Sequence, residues 1–161
     1  MSSDKKLLTL NVNQLPILKD ALGPGVNFQP LFIDTANGMW CIRALFGPGI
    51  TLPSHLHTGP VHAYTLSGCW YYAEHADQPQ TAGSYLYEPA SSVPHLFHTP
   101  ADNTEITEII FMVSGANVNF DDQGGFHSVM DATFIEGLAK NVAAAQQLDQ
   151  LTYVRNPGAS I

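Results

Sequence analysis

Six of the seven histidines in this 161-residue chain fall between residues 55 and 98, and two stand one residue apart in Pro53-Ser54-His55-Leu56-His57. On an extended strand side chains alternate between faces, so His55 and His57 point one way and Leu56 the other. Neutral imidazole is the commonest protein ligand for first-row transition metals, and two on one strand make half of a metal site. The third ligand must arrive from another strand. The candidate is His95 in Val93-Pro94-His95-Leu96-Phe97, where Pro94 ends a turn and His95 begins a new strand.

Other residues near these histidines could move protons. Glu74 and Glu88 lie on or beside expected strands, and either could be a fourth metal ligand or a proton acceptor. Glu74 alternates with Trp70 and Tyr72, which puts these three on one face. Tyr64 is the phenol taken as a catalytic candidate; Tyr71, Tyr72, Tyr85 and Tyr87 are expected to pack, leaving a small apolar, aromatic pocket. Arg43 is either solvated or a carboxylate anchor. Cys69 is expected to be a packed strand thiol, and His75 and His127 to be loop residues without a role.

These side chains need a scaffold. Residues 7 to 36 carry Pro16, Gly23, Pro24, Gly25 and Pro30 and read as loops and edge strands. From Met39 to Asn119 short runs of Val, Ile, Thr, Tyr, Phe and Trp alternate with turn signals such as Gly47-Pro48-Gly49, Ser67-Gly68 and Glu88-Pro89. Repeated short strands of this kind predict an all-β barrel or sandwich. From about Asp131 to Leu151 the chain becomes Ala-rich, with Phe134, Leu138, Val142 and Ala145 at helical spacing, so one C-terminal helix is expected with Asp131 as its N-cap. Residues 1–161 are read as one domain, with Asn156 to Ser160 as a mobile tail.

Composition narrows the partners. There are 14 acidic against 6 basic residues, and no Lys or Arg occurs between Arg43 and Lys140, which argues against nucleic acid. Apolar runs reach only the length of Ile109–Val113, far short of a membrane span, and the start Met1-Ser2-Ser3-Asp4-Lys5-Lys6 lacks a signal-peptide core. A cytoplasmic protein with Cys41 and Cys69 reduced is the expectation.

The run Gly49-x5-His55-x-His57-x4-His62-x5-Gly68 resembles the first motif of the cupin superfamily, and Gly83-x5-Pro89 leading to His95-Leu96-Phe97 resembles the second. At finer grain, Pro53-Ser54-His55-Leu56-His57-Thr58-Gly59-Pro60 and Thr81-Ala82-Gly83-Ser84-Tyr85-Leu86-Tyr87-Glu88-Pro89 look like the carbon–carbon-cleaving 2,4'-dihydroxyacetophenone dioxygenases and, more distantly, the acetylacetone-cleaving dioxygenases. The resemblance implies a double-stranded β-helix (jelly-roll barrel) over about residues 39–119. It also implies non-haem Fe(II) on three histidines, which map onto His55, His57 and His95; Zn, Ni or Mn are the alternatives.

Two positions depart from that pattern. His62 stands where a Glu is usual and is read as a fourth ligand or as a histidine that orients the others. Ala90-Ser91-Ser92 lengthens the second motif by about one residue, which leaves His98 as an alternative to His95. An all-imidazole shell would leave the ion's charge uncompensated and favour an anionic, bidentate oxygen ligand. The expected activity is cleavage of a carbon–carbon bond in a hydroxyketone or β-diketone with O2, the substrate being a small neutral or enolisable carbonyl. A zinc-binding sensor or small-molecule binding module, like the cupin domains of anti-sigma factors, and a metal-dependent isomerase or hydrolase are the alternatives. By analogy with small cupins, a homodimer or homotetramer is expected.

Overall fold

The computed structural model describes residues 7–155. The expected tail at 156–160 and the first six residues lie outside the described part.

The strands, in chain order, are β1 (Val26–Asp34), β2 (Met39–Phe46), β3 (His55–His57), β4 (Val61–Ser67), β5 (Cys69–Tyr72), β6 (Gln80–Thr81), β7 (Tyr85–Glu88), β8 (Phe97–His98), β9 (Thr107–Ser114), β10 (Asn117–Phe120), β11 (Phe126–Met130) and β12 (Val154–Arg155); helix α1 (Ala132–Ala145) lies between the last two. One wall is a six-stranded sheet in the order β12-β1-β2-β9-β4-β7. Facing it are two three-stranded sheets, β11-β10-β3 and β6-β5-β8. Reciprocal backbone bonds between His55 and His95, at 3.1 and 2.9 Å, join these two smaller sheets just where the candidate ligands sit.

The walls meet through aromatic side chains. Phe97 of β8 stacks on Trp70 with centroids 5.1 Å apart and meets Phe46 of β2 at 4.6 Å. The Trp70 indole N–H donates to Thr65 Oγ1 at 2.9 Å, so the most voluminous fully buried side chain leaves no unpaired donor. Alternation along β4 is strict: Val61, Ala63 and Thr65 are buried, whereas His62, Tyr64 and Leu66 are exposed. Gly68, at φ +72°, turns the chain from β4 into β5; a Cβ there would lie 2.5 Å from Thr107 Oγ1, so no larger residue fits.

The strands extend beyond the expected 39–119. β1 is a nine-residue strand inside the region read as loops and edge strands, paired with β2 along its length. Pro30 is tolerated there because the register shifts between Pro30 and Phe32, a bulge that spares the ladder a donor. β11 likewise follows Gly124-Gly125, and it carries His127, which is therefore a strand residue and not a loop residue.

Helix α1 has the expected N-cap, Asp131 accepting from the Phe134 N–H at 2.8 Å. It ends at Ala145, six residues before Leu151. Gln147 takes φ +53°, and the bonds Gln147 N–H to Ala144 C=O and Leu148 N–H to Ala143 C=O close a Schellman turn. The buried face also differs from the expected stripe. Ala132, Ile135, Ala139 and Ala143 face the core, Leu138 and Val142 flank it, and Phe134 and Ala145 are exposed. Small residues let the helix lie close against β1 and β2, so the close-packed row and the row of largest side chains are different rows.

Candidate metal centre

β3 directs His55 and His57 to the interior with Leu56 between them, and the bridge to His95 sets the third ring beside them. The ring centroids lie 5.0 Å (His55–His57), 4.6 Å (His55–His95) and 5.3 Å (His57–His95) apart. One ligand atom from each comes within 4.8 Å of the others, and all three residues are buried.

Backbone carbonyls fix which nitrogens face inward. His55 Nδ1 lies 2.9 Å from the Pro53 carbonyl and His95 Nδ1 lies 3.0 Å from that of Val93, the same i−2 contact made twice. A carbonyl only accepts, so each Nδ1 carries the proton and each neutral ring turns a bare Nε2 lone pair toward the cluster. Burial keeps the rings neutral. It lowers His55 to about 4 and His57 to about 3, and pushes His95 down as well; neighbouring rings of the cluster add to the depression of His55 and His57. His57 Nε2 and His95 Nε2 are buried without hydrogen-bond partners, as is His57 Nδ1. Its cross-strand neighbour Asn117 has an equally unpartnered Oδ1.

Glu88 completes the cluster from β7. It pairs with Val61 of β4, points inward, and places Oε2 3.1 Å from His95 Nε2 and 3.4 Å from His57 Nε2. Tyr72 OH donates to its other oxygen at 2.6 Å, and the Tyr72 ring lies 4.1 Å from that of His95. Burial raises the Glu88 carboxyl from the usual 4.5 to about 7, against the opposing pull of the Tyr72 hydrogen bond. Buried imidazole nitrogens without hydrogen-bond partners, converging beside a buried carboxyl, are what a divalent cation would satisfy, so the residues present fit a metal ion. The group able to hold the ion is the expected set of three imidazoles, and Glu88, one of the two carboxylates expected near it, lies beside two of them.

Several candidates lie elsewhere. His62 is on the exposed face of β4, its Nδ1 2.6 Å from Tyr85 OH, and cannot be a fourth ligand or orient the others. Tyr64 shares that outward face, so it does not reach the site. Glu74, in a short turn after β5, is exposed and accepts from the Leu96 N–H at 3.0 Å, which fastens the segment carrying His95; it is not in the ligand cluster. His98 turns away to Thr51 Oγ1 at 2.7 Å. Arg43 is held by Glu108 and by Gln29 at 2.9 Å, which leaves it no role as a substrate anchor. Both cysteines are free, and burial raises both thiols, Cys41 to about 11.

Above the His55 and His57 rings lies a cavity of about 400 Å3, reached past Leu22, Val129 and Phe134. One side is apolar, with Phe28, Trp40, Ile42, Phe97 and Phe111; the other is the β3-β10-β11 sheet, where Asn119 stands between His55 and Ser128. A smaller pocket of about 230 Å3, bordered by Glu74, His75 and Ser92, reaches Glu88 and His95 from the other side. A groove of about 830 Å3 past Pro53 and Asp121 contains none of the three rings. The sequence reading missed Asn117 and Asn119; the signal was the alternation Asn117-x-Asn119, which matches that of His55-x-His57.

The opposite shifts of Glu88 and the histidines predict a pH signature for the metal-free protein. Histidines near 6.5 when unfolded and near 3 to 4 when folded hold fewer protons in the fold, so their contribution to stability falls as the pH drops below about 6.5. Glu88, at 4.5 unfolded and about 7 folded, holds more protons in the fold, so its contribution falls as the pH rises from about 4.5 through 7. Glu88→Gln should therefore stabilise the metal-free protein relative to wild type more at pH 8 than at pH 5, as read from urea midpoints. An equal difference at both pH values would mean that Glu88 is not held in its proton-bearing form.

The family described as the ChrR cupin-like domain matches residues 7–118. A Ralstonia eutropha JMP134 protein of unknown function with a cupin-like fold is 44% identical, with a TM-score of 0.91 over 100% of this chain and 99% of that one. A second R. eutropha protein, an RmlC-like cupin, is 27% identical with a TM-score of 0.80, covering 87% and 88% of the two chains. The acetylacetone dioxygenase of Acinetobacter johnsonii is 16% identical with a TM-score of 0.67 over 86% of this chain and 93% of that one, a likeness of fold alone. Among curated proteins there is no match. Among the described residues, no helix is long and apolar enough to cross a membrane.

Proposed function

The chain belongs to the family of ChrR cupin-like domains, and we propose that it is a metal-dependent dioxygenase cleaving a carbon–carbon bond of a small hydroxyketone or β-diketone. The observation that carries this reading is the convergence of three buried imidazoles and a buried carboxylate beneath an apolar cavity of about 400 Å3. His55, His57 and His95 would hold the ion, with Glu88 beside it; iron(II) is the first choice, and zinc, nickel or manganese the alternatives. When bound, the ion supplies the Lewis acidity and the one-electron chemistry that a reaction with dioxygen needs.

The chain's own residues do the rest. Phe28, Ile42, Phe97 and Phe111 exclude water and hold the carbon skeleton, while Asn117 and Asn119 offer amide groups to its oxygens from the opposite wall. Among the described residues no Lys or Arg lines this cavity, which suits a substrate that is uncharged on entry, its oxygens met by the ion and the amides. Glu88 Oε2 does not line this cavity but lies within 3.4 Å of His57 Nε2, which borders it, and would take the proton from the carbon next to the carbonyl groups of a substrate brought down to the rings, converting it to its enolate. A carboxyl near 7 is matched to that task at neutral pH. The Tyr72 hydroxyl, bonded to Oε1, holds the carboxylate in position meanwhile.

The family's ChrR designation favours a second reading, a zinc-holding sensor or binding module. The two separate cleanly. The purified protein is analysed for metal by mass spectrometry, and oxygen consumption is followed with 2,4'-dihydroxyacetophenone and with acetylacetone. Iron together with consumption supports the dioxygenase; zinc without consumption selects the sensor, or an isomerase or hydrolase using the same ligands.

A further inference from the structure

The geometry points to the smaller pocket as the route by which a divalent ion reaches and leaves the three rings, with Glu74 at its outer end drawing the ion in. The inference rests on His55, His57 and His95 holding an ion, whatever reaction that ion serves. The two cavities divide the cluster between them. The larger one borders His55 and His57, the smaller one borders His95 and Glu88, and Tyr72 stands on the wall of both. Polar side chains follow one another along the smaller pocket: Glu74, His75 and Gln78 are exposed, Gln80 and Ser92 are half-buried, and His95 and Glu88 are buried. Two atoms on this border, Ser92 Oγ and His95 Nε2, are buried without a hydrogen-bond partner, and the His95 side chain is only 6% exposed.

A hydrated divalent ion gives up its waters reluctantly and needs oxygen or nitrogen atoms to replace them along the way. The mouth of the larger cavity presents the apolar side chains Leu22, Val129 and Phe134, which replace none. The smaller pocket presents carboxylates, imidazoles and amides in turn. Among the described residues no Lys or Arg borders it, so it suits a cation and not an anion. Glu74 is held in place for this task. Its Oε2 accepts from the Leu96 N–H at 3.0 Å, which fixes the carboxylate beside the segment carrying His95. Its charge acts on His95 and on His55, favouring positive charge at both rings. The same field favours a cation approaching them.

The test is the rate of loading. Metal-free protein is mixed with cobalt(II) in a stopped-flow spectrometer, and release is followed as first-order loss to excess EDTA. Gln78→Trp, which sets an indole at the outer end of the smaller pocket, should slow uptake and release by the same factor, at least roughly tenfold, because an obstacle on a route raises the barrier equally in both directions. The dissociation constant should not change. Val129→Trp, at the mouth of the larger cavity, should alter neither rate. Glu74→Gln, whose amide oxygen can still accept from Leu96, should slow uptake by roughly threefold to tenfold at low salt and by much less at about 0.5 M salt, where exposed charges are screened. Its final cobalt content should equal that of wild type, and this variant keeps the route testable if Gln78→Trp misfolds. Slowing by Val129→Trp and not by Gln78→Trp, or uptake by Glu74→Gln as fast as wild type at low salt, would overturn the inference. Wild type that takes up no cobalt would overturn the metal centre along with the route, whereas a protein that loads as described but consumes no oxygen removes only the dioxygenase reading.

Discussion

His57→Ala is expected to strip the protein of its metal, and His55→Ala and His95→Ala to do the same, while His62→Ala and His98→Ala retain it. Each of the first three removes one of the buried rings that converge within 4.8 Å. Altering a partner of a ligand costs roughly 10- to 100-fold in metal affinity, so removing a ligand should cost at least that much. His62 is bonded to Tyr85 on the outer face and His98 to Thr51, so neither can substitute. Metal per chain by mass spectrometry after dialysis against a weak chelator is the measurement. If His98→Ala loses metal while His95→Ala keeps it, the third ligand has been assigned to the wrong strand position. Oxygen consumption should disappear along with the metal, because the remaining groups of the cavity have no redox chemistry of their own.

Glu88→Gln should have the second-largest effect, and a different one. The amide preserves shape and can still accept from Tyr72, but it cannot take up a proton. Oxygen consumption should fall by roughly 100- to 10,000-fold, the usual contribution of a positioned acid–base group. Metal should be held more weakly than in wild type yet remain measurable, since the three imidazoles are intact. The profile of rate against pH should also lose the limb set by the carboxyl near 7. If Glu88→Gln retains full oxygen consumption once metal is resupplied, proton transfer lies with another group. Glu74→Gln is the control: it loosens a hydrogen bond to Leu96 at the surface and should have little effect on metal content.

These two expectations rest on residues that were legible in the sequence to different degrees. Strand alternation places His55 and His57 on one face, because the period of 2 is a local property of the chain. Pro94 marks the turn that presents His95, also locally. The choice between Glu74 and Glu88 was not legible. The two lie on elements of similar composition, and only the pairing of β7 with β4, with Glu88 opposite Val61, turns one inward and leaves the other at the surface. His62 shows the same limit. It occupies the motif position where a carboxylate is usual, but the alternation that buries Val61 and Ala63 necessarily exposes it. The buried carboxyl beside the rings, Glu88, lies instead on the neighbouring strand.

The helix is a parallel case. Its existence and its cap at Asp131 follow from local signals, but its end depends on Gln147 adopting a left-handed conformation, and its buried face on which row of small residues could approach β1 and β2. The sequence by itself determined the strand-rich character of the chain, the pairing of two imidazoles on one strand and the place of a third after a proline turn, since these depend on near neighbours and on strand period. Tertiary structure alone decided which carboxylate joins the imidazoles, which aromatic residues line the cavity and which remain on the outer sheet face. Those outcomes depend on contacts between segments tens of residues apart, whose register is set by packing across the whole sheet and not by any one segment.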